Sequence, residues 1–490
     1  MRSGFIYACC LLYLLATGNS VFAQSAAIEN PPVFTTEERS ASAPENYRLI
    51  LNDSSHLFVI KDIEITGNKY TRPGTILREV SFNINDSYPL SVIVDKFYEA
   101  RKQIMNSGLF RNVVVSLKSL RGYDVYVHIE VEEKWYIYPI PFMHPVDKSF
   151  HQWWTKDRSI DRVNYGVRLE HHNFTGRNDK LNLRYTNGFT KEIALQYYGL
   201  YLDSKMQWSL NGGVGWGHLK ELNYITEDNK QLSIQNNDHY LNSYFHSFLE
   251  FTYRPAIKTR HTFSIEYNYN DIADTIFKLN PHFSENKNIL RYVGLAYRLT
   301  YFDVDFIPYP TKGFAGELLI KKEGFNDPIN LWQLSAKASN TWTLGEKYYF
   351  NAAFVGMLKL PFNQPYITKQ FVGYDDQYLQ GYEYYVIDGV AGGYGKATLS
   401  RSIVNTHISI PSKRMKQLNY IPIKIYAKTF VNTGYVYNPD EGTNRLNNRI
   451  LYSGGFGLDI VAFTDFVIKL EWSFNHLAEN GVYLHRISYF

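Results

Sequence analysis

From Trp135 to Phe490 the chain has no convincing helical period; segments of about 8 to 16 residues alternate apolar with polar side chains instead. In Met206 to His218 the residues Met206, Trp208, Leu210, Val214 and Trp216 are apolar, while Gln207, Ser209 and Asn211 between them are polar or small. Phe466, Ile468, Leu470, Trp472 and Phe474 alternate in the same way with Lys469, Glu471 and Ser473. Such strands carry one apolar and one polar face. Past the N-terminal stretch, the longest run without Asp, Glu, Lys or Arg is Met206 to Leu219, fourteen residues, short of the roughly 20 a helix needs to span a bilayer. Candidate strands begin near positions 135, 162, 180, 191, 206, 240, 259, 289, 312, 329, 347, 394, 423, 450, 466 and 481. That is sixteen, and a closed bacterial barrel requires an even number. Long polar gaps near 142 to 161, 219 to 239, 271 to 288, 362 to 393 and 439 to 449 each follow an odd-numbered strand. The connections after even strands are mostly shorter, the one near 412 to 422 excepted, as expected of long outer loops and short periplasmic turns.

The N-terminus fits a cleavable signal over residues 1–23. Arg2 supplies the charged start, Ile6 to Ala16 the apolar run, and Val21-Phe22-Ala23 the small-residue pattern before a cut at Gln24. Both cysteines, Cys9 and Cys10, fall inside it, so the processed chain is expected to have no disulfide, thiol chemistry or cysteine-bound metal. A lipid-modified cysteine is the competing reading, and it is disfavoured because Cys9 sits within the apolar run and not after it. With 51 Lys+Arg against 47 Asp+Glu there is no charge excess of the kind that binds nucleic acid. The 8 Trp, 41 Tyr and 31 Phe suit a surface apolar on one side and wet on the other, as at a membrane interface.

Residues 24–56 are rich in Ser, Ala, Pro and Glu without periodicity and are expected to form a flexible leader. Residues 57–133 are expected to form one α+β domain of order β-α-α-β-β. LFVIKDIEITGN reads as a strand ending in a Gly67-Asn68 turn, and Thr71 is a candidate cap for a short helix over Pro73 to Val80. Ser87-Tyr88-Pro89 opens a longer helix whose Ile93, Phe97, Ala100 and Ile104 share a face, with Gly108 as its stop. Arg111 to Leu117 and Val125 to Val131 read as strands joined at Arg121-Gly122. Residues 134–490 are then expected to form a sixteen-stranded transmembrane antiparallel β-barrel. A soluble β-sandwich or lectin would alternate too, but the aromatic excess, the count of sixteen and the terminal Phe490 weigh against it.

A small β-α-α-β-β domain, a sixteen-strand barrel and a C-terminal phenylalanine together resemble the BamA/TamA superfamily of outer-membrane assembly and translocation proteins. IKDIEITGN and NSGLFRNVVVSL look like a POTRA domain, the periplasmic module of that family, and only one such module fits here. The resemblance implies a sixth outer loop that folds back into the barrel and carries an Arg-Gly-aromatic tripeptide. The matching segment here is Leu379-Gln380-Gly381-Tyr382, with Gln380 in place of the arginine. It also implies an acidic lumen partner in a Phe-x-Asp-x-Gly strand motif; here the motif reads Phe430-Val431-Asn432-Thr433-Gly434, with Asn432 in place of the aspartate. If Ile423, Ile425, Ala427, Val431 and Tyr435 face lipid, Asn432 points into the lumen, where the Gln380 amide could meet it. Losing both charges avoids leaving one carboxylate buried and unpaired, and the loop would be held by a neutral hydrogen bond. The competing reading is a plain loop and strand without contact.

The resemblance further implies a lateral seam between the first and last strands. WYIYPIP carries Pro139 and Pro141, which cannot donate to a ladder and favour edges. The competing reading is a linker, which would leave an odd count of strands. The last strand ends in Phe490, although Arg486 and Ser488 share its face.

No catalytic constellation, metal site or cofactor is expected. Glu170-His171-His172 is the densest histidine cluster, but neighbouring strand residues point to opposite faces. The Gly-x-Gly spacings at Gly213, Gly215 and Gly392 to Gly395 lack the strand-turn-helix context of a phosphate loop. The expected function is insertion, folding or translocation of other outer-membrane proteins in a Gram-negative-type bacterium, in a specialised or accessory role. Its partners would be unfolded outer-membrane or surface protein clients received on the POTRA domain, outer-membrane lipids, and accessory lipoproteins or periplasmic chaperones, without nucleic acid. A passive outer-membrane channel is the alternative, and a surface adhesin acting through the loops near 219 to 239 and 271 to 288 is a third possibility.

Overall fold

The computed structural model describes residues 56–145, 163–326, 328–374, 377–408, 421–462 and 466–486. The expected signal peptide, nearly all of the leader, and Phe490 lie outside the described residues. The chain divides into two compact units. One gathers the described residues up to Asn68 with Val80–Gln103 and Asn112–Glu132; the other gathers Lys69–Glu79, Ile104–Arg111 and the chain from Glu133 on.

The small domain runs β1 (Phe58–Thr66), α1 (Pro73–Leu77), β2 (Ser87–Tyr88), α2 (Leu90–Asn106), β3 (Phe110–Arg121) and β4 (Asp124–Glu133), with sheet order β2-β1-β4-β3. The expected order holds, with the two-residue β2 added ahead of the long helix. β1 and β4 are parallel neighbours, and Val125, Val127, Ile129 and Val131 alternate into the core. On α2, Ile93, Ala100 and Ile104 are buried as the helical spacing requires, and Gly108 ends the passage at φ +77°. Thr71 does not cap α1, which is shorter than expected and has Arg72 at its N-cap. Its hydroxyl instead meets Tyr136 Oη at 3.0 Å and accepts from Asn173 Nδ2 at 2.9 Å, contacts that a sequence window cannot anticipate.

All sixteen expected barrel strands are present, each starting within three residues of its expected position. They are β5 (Ile137–Pro145), β6 (Val163–His172), β7 (Lys180–Gly188), β8 (Lys191–Tyr201), β9 (Trp208–Leu219), β12 (Asn242–Ala256), β13 (Thr259–Ile272), β14 (Ile289–Val304), β15 (Gly313–Asn326), β16 (Ile329–Thr343), β17 (Tyr348–Leu360), β18 (Ala391–Ile408), β19 (Ile421–Tyr437), β20 (Ile450–Ala462), β21 (Phe466–Asn475) and β22 (Asn480–Arg486). Every consecutive pair is antiparallel. The connection after β9 adds a separate hairpin, β10 (Glu221–Glu227) with β11 (Lys230–Gln235), and the one after β13 adds the short helix α3 (Asp274–Leu279).

The sheet is curled. The β10–β11 hairpin and the loop after β19 hang from strands eight places apart in the sheet, roughly 38 Å in a flat sheet. Yet Asn229 N donates to Asn444 Oδ1 at 2.7 Å, and Leu446 N donates to Asn229 Oδ1 at 2.9 Å. The outward positions of the strands are apolar: Trp208, Val214 and Trp216 on β9, Phe263 and Ile265 on β13, Val431 and Tyr435 on β19, and Trp472 and Phe474 on β21 are all exposed. An exposed apolar band of this extent is the lipid-facing surface of a transmembrane barrel.

β5 and β22 stand at the two ends of the strand order, and no ladder joins them among the described residues. β5 pairs with β6 from Ile137 to Pro145. Its Pro139, Pro141 and Pro145 share one parity, and along a strand backbone N–H groups alternate sides, so the three missing donors fall on a single edge.

Candidate functional site

On β19 the even positions Tyr426, Lys428, Phe430, Asn432, Gly434 and Val436 are buried, whereas Thr429, Val431, Thr433 and Tyr435 are exposed. The inner wall is therefore built from rows that register fixes across β19, β20 and β21. Asn432 lies opposite Ser453 and Asn475, Phe430 opposite Gly455 and Ser473, Lys428 opposite Gly457 and Glu471, and Tyr426 opposite Asp459 and Lys469. Gly457 leaves the row's middle position bare, so Lys428 and Glu471 meet over it in an ion pair. A Cβ at Gly455 would lie 2.7 Å from Phe430 Cζ, because the Phe430 ring covers that glycine.

The loop between β17 and β18 sits inside this wall. Its Phe371, Val372, Leu379, Tyr382 and Ile387 form one buried cluster with Met357, Tyr394, Val436, Leu446 and Leu451. The first row grips the loop's backbone at the tripeptide: Asn432 Nδ2 donates to the Gln380 carbonyl at 3.4 Å and to Ser453 Oγ at 3.1 Å, and Asn475 Nδ2 donates to the Gly381 carbonyl at 2.7 Å. Gly381 holds φ +92°, and a Cβ there would stand 2.8 Å from that of Ser453, so glycine is required on both counts. Tyr382 is buried; its hydroxyl donates to the Tyr452 carbonyl at 2.9 Å, accepts from Tyr452 N at 3.2 Å and contacts His476 Nδ1.

The structure thus brings Gln380, Gly381, Tyr382 and Asn432 together, with Phe430 and Gly434 on the same wall. The contact differs from the one expected. Asn432 reaches the backbone of Gln380, and the Gln380 side chain donates instead to Glu471 Oε1 at 2.7 Å. Two amides are not needed to satisfy one another when a buried carboxylate is within reach. Lys428, Glu471 and Asp459 were missed as a group. Their charge and inward parity are readable in sequence, but their adjacency depends on three-strand register.

The polar contacts continue in both directions. Lys428 Nζ also pairs with Asp459 Oδ1 at 2.6 Å, and Asp459 Oδ2 accepts from Tyr309 Oη at 3.0 Å. Tyr309 lies in the turn between β14 and β15, at the short-turn end, and stacks on Tyr426 with ring centroids 4.6 Å apart. On the other side, His485 of β22 lies 3.3 Å from Glu383 of the loop and 3.5 Å from Glu471. A single polar path therefore links a short turn, the wall, the loop and the last strand. Pro139 and Pro141 lie on β5.

At the short-turn end, Glu79 accepts two hydrogen bonds from Arg254 at 2.7 Å each and pairs with Arg78 at 3.0 Å. Burial alone would raise this carboxyl, but the Arg254 hydrogen bonds and the charges of Arg254 and Arg78 outweigh it and hold Glu79 below the usual carboxylate range.

The family model described as POTRA, surface antigen variable number repeat, matches residues 58–134. Those residues are a POTRA domain. No curated protein matches the chain in sequence. Among solved structures, BamA from Haemophilus ducreyi lacking POTRA domains 1–3 is 12% identical, with 88% of this chain and 83% of that chain covered and a TM-score of 0.47. CdiB from Escherichia coli is 12% identical, with 88% and 74% covered and a TM-score of 0.49. CdiB from Acinetobacter baumannii is 10% identical, with 86% and 71% covered and a TM-score of 0.45. The POTRA domain followed by sixteen antiparallel strands is the domain order that the resemblance to the BamA/TamA superfamily implied.

Proposed function

We propose that this chain inserts or translocates other proteins at the outer membrane of a Gram-negative-type bacterium, its POTRA domain receiving unfolded β-segments in the periplasm and its β5–β22 seam templating them. The observation that carries this reading is the seam. β5 and β22 end the sheet without a ladder among the described residues, and the prolines of β5 remove three donors from one edge. Those missing donors weaken the closing ladder and leave the edge of β22 short of partners; such an edge can accept a client strand by augmentation, and burial of the client's apolar face in lipid supplies free energy without a nucleotide. The clients are unfolded outer-membrane or surface proteins, delivered by periplasmic chaperones or with accessory lipoproteins. A loop motif without its arginine favours a specialised or accessory role.

A passive channel is the competing reading, and the loop seated in the lumen speaks against a permanently open pore. Depletion in the native host separates the two, with folded outer-membrane proteins quantified by heat-modifiable mobility and membrane proteomics. A defined subset should be lost. Introduced cysteines that join β5 to β22 should reproduce that loss, and reductant should reverse it. An unchanged folded set on depletion sinks the proposal.

A further inference from the structure

Glu383 of the loop, Glu471 of β21 and His485 of β22 converge, with one donor atom from each lying within 4.8 Å of the other two. His485 Nε2 is 3.3 Å from Glu383 Oε1 and 3.5 Å from Glu471 Oε2. Zinc bound tetrahedrally at 2.0–2.2 Å places neighbouring donors about 3.4 Å apart. The Glu471 side chain is fully buried, and its Oε2, which faces this cluster, has no hydrogen-bond partner. Buried polar atoms are rarely left so, and each calls for an explanation such as an ion.

The ligands are also oriented from behind, as metal ligands usually are. Glu383 Oε2 accepts from Gly381 N at 2.8 Å, Glu471 Oε1 accepts from Gln380, and the His485 ring stacks on Tyr378 at 4.3 Å. One imidazole and two carboxylates suit zinc, whereas calcium and magnesium demand about six oxygens. The ammonium of Lys428 opposes a cation there, and Asp459 shares that ammonium from its other side.

We propose that Glu383, Glu471 and His485 form a zinc site that pins the folded-back loop to β21 and to the terminal strand β22. The site stands whether the barrel inserts proteins or only conducts. The test uses the full chain, folded in detergent, stripped with chelator and titrated with zinc chloride by calorimetry, with metal content measured after gel filtration. One zinc per chain is expected. His485→Asn and Glu383→Gln, each checked for heat-modifiable mobility, should bind at least about ten-fold more weakly. Zinc should also slow hydrogen exchange in the loop around Glu383 and in β22 of the wild type. Absence of saturable zinc uptake by the folded wild type overturns the proposal. So does unchanged affinity in both variants, or affinity lost only when His171 and His172 are replaced.

Discussion

Lys428 is the cation around which the inner surface of β19 to β21 is arranged. Its side chain is 2% exposed, that of Glu471 0% and that of Asp459 4%, so removing the ammonium leaves two carboxylates facing each other out of water. Lys428→Met is expected to destabilise the barrel by about 3–5 kcal/mol, read as a lower urea midpoint for loss of the heat-modifiable band. Combining it with Glu471→Gln should cost less than the sum of the two. Tyr382→Phe is gentler: it removes the hydroxyl bridging Tyr452, at about 1–2 kcal/mol, and should expose the loop to protease while leaving barrel mobility unchanged. Neither Lys428 nor Glu471 stood out in the sequence as more than the polar half of an alternating strand. What makes them a pair is Gly457 between them, and a bare position gains meaning only once register is known.

At the scale of elements, legibility followed locality. Barrel strands are set by alternation within ten or so residues, and all sixteen starts were readable. The sequence places Thr71 as the cap of α1, but its hydroxyl is committed to Tyr136 and Asn173, over sixty and a hundred residues away. The segment holding α1 is anchored by Glu79 to Arg254, and the sign of its pH dependence is fixed. Since the folded carboxyl lies below its unfolded value, the stabilisation is fully present above about pH 4.3 and is lost as pH falls through the lower folded value. Protection factors over Lys69–Glu79, taken relative to the intrinsic exchange rate at each pH, should therefore be flat from neutrality down to about pH 4 and fall below it. Glu79→Gln should abolish that acid step.

For the whole molecule, the decisive fact is that the lumen is occupied. The loop cluster around Phe371, Tyr382 and Ile387 and the Tyr309 turn approach the same wall from opposite ends. Planar bilayers carrying the full chain should show small, intermittent conductance. Replacing Phe371–Ile387 by a short Gly-Ser linker should give a stable conductance several-fold larger, since a barrel of sixteen strands encloses a water-filled channel once its filling is gone. A large steady conductance from the unaltered chain would contradict the packing described.

The seated loop also bears on the cell that makes the protein. Gly381 has neither the room nor the φ angle for a side chain, so a single methyl group at that position is expected to unseat the tripeptide. Cells expressing Gly381→Ala should become sensitive to antibiotics too bulky for ordinary porins, measured as a fall in inhibitory concentration against cells with the native chain. The loop would then be part of the permeability barrier of the envelope, guarding it at every copy of the barrel.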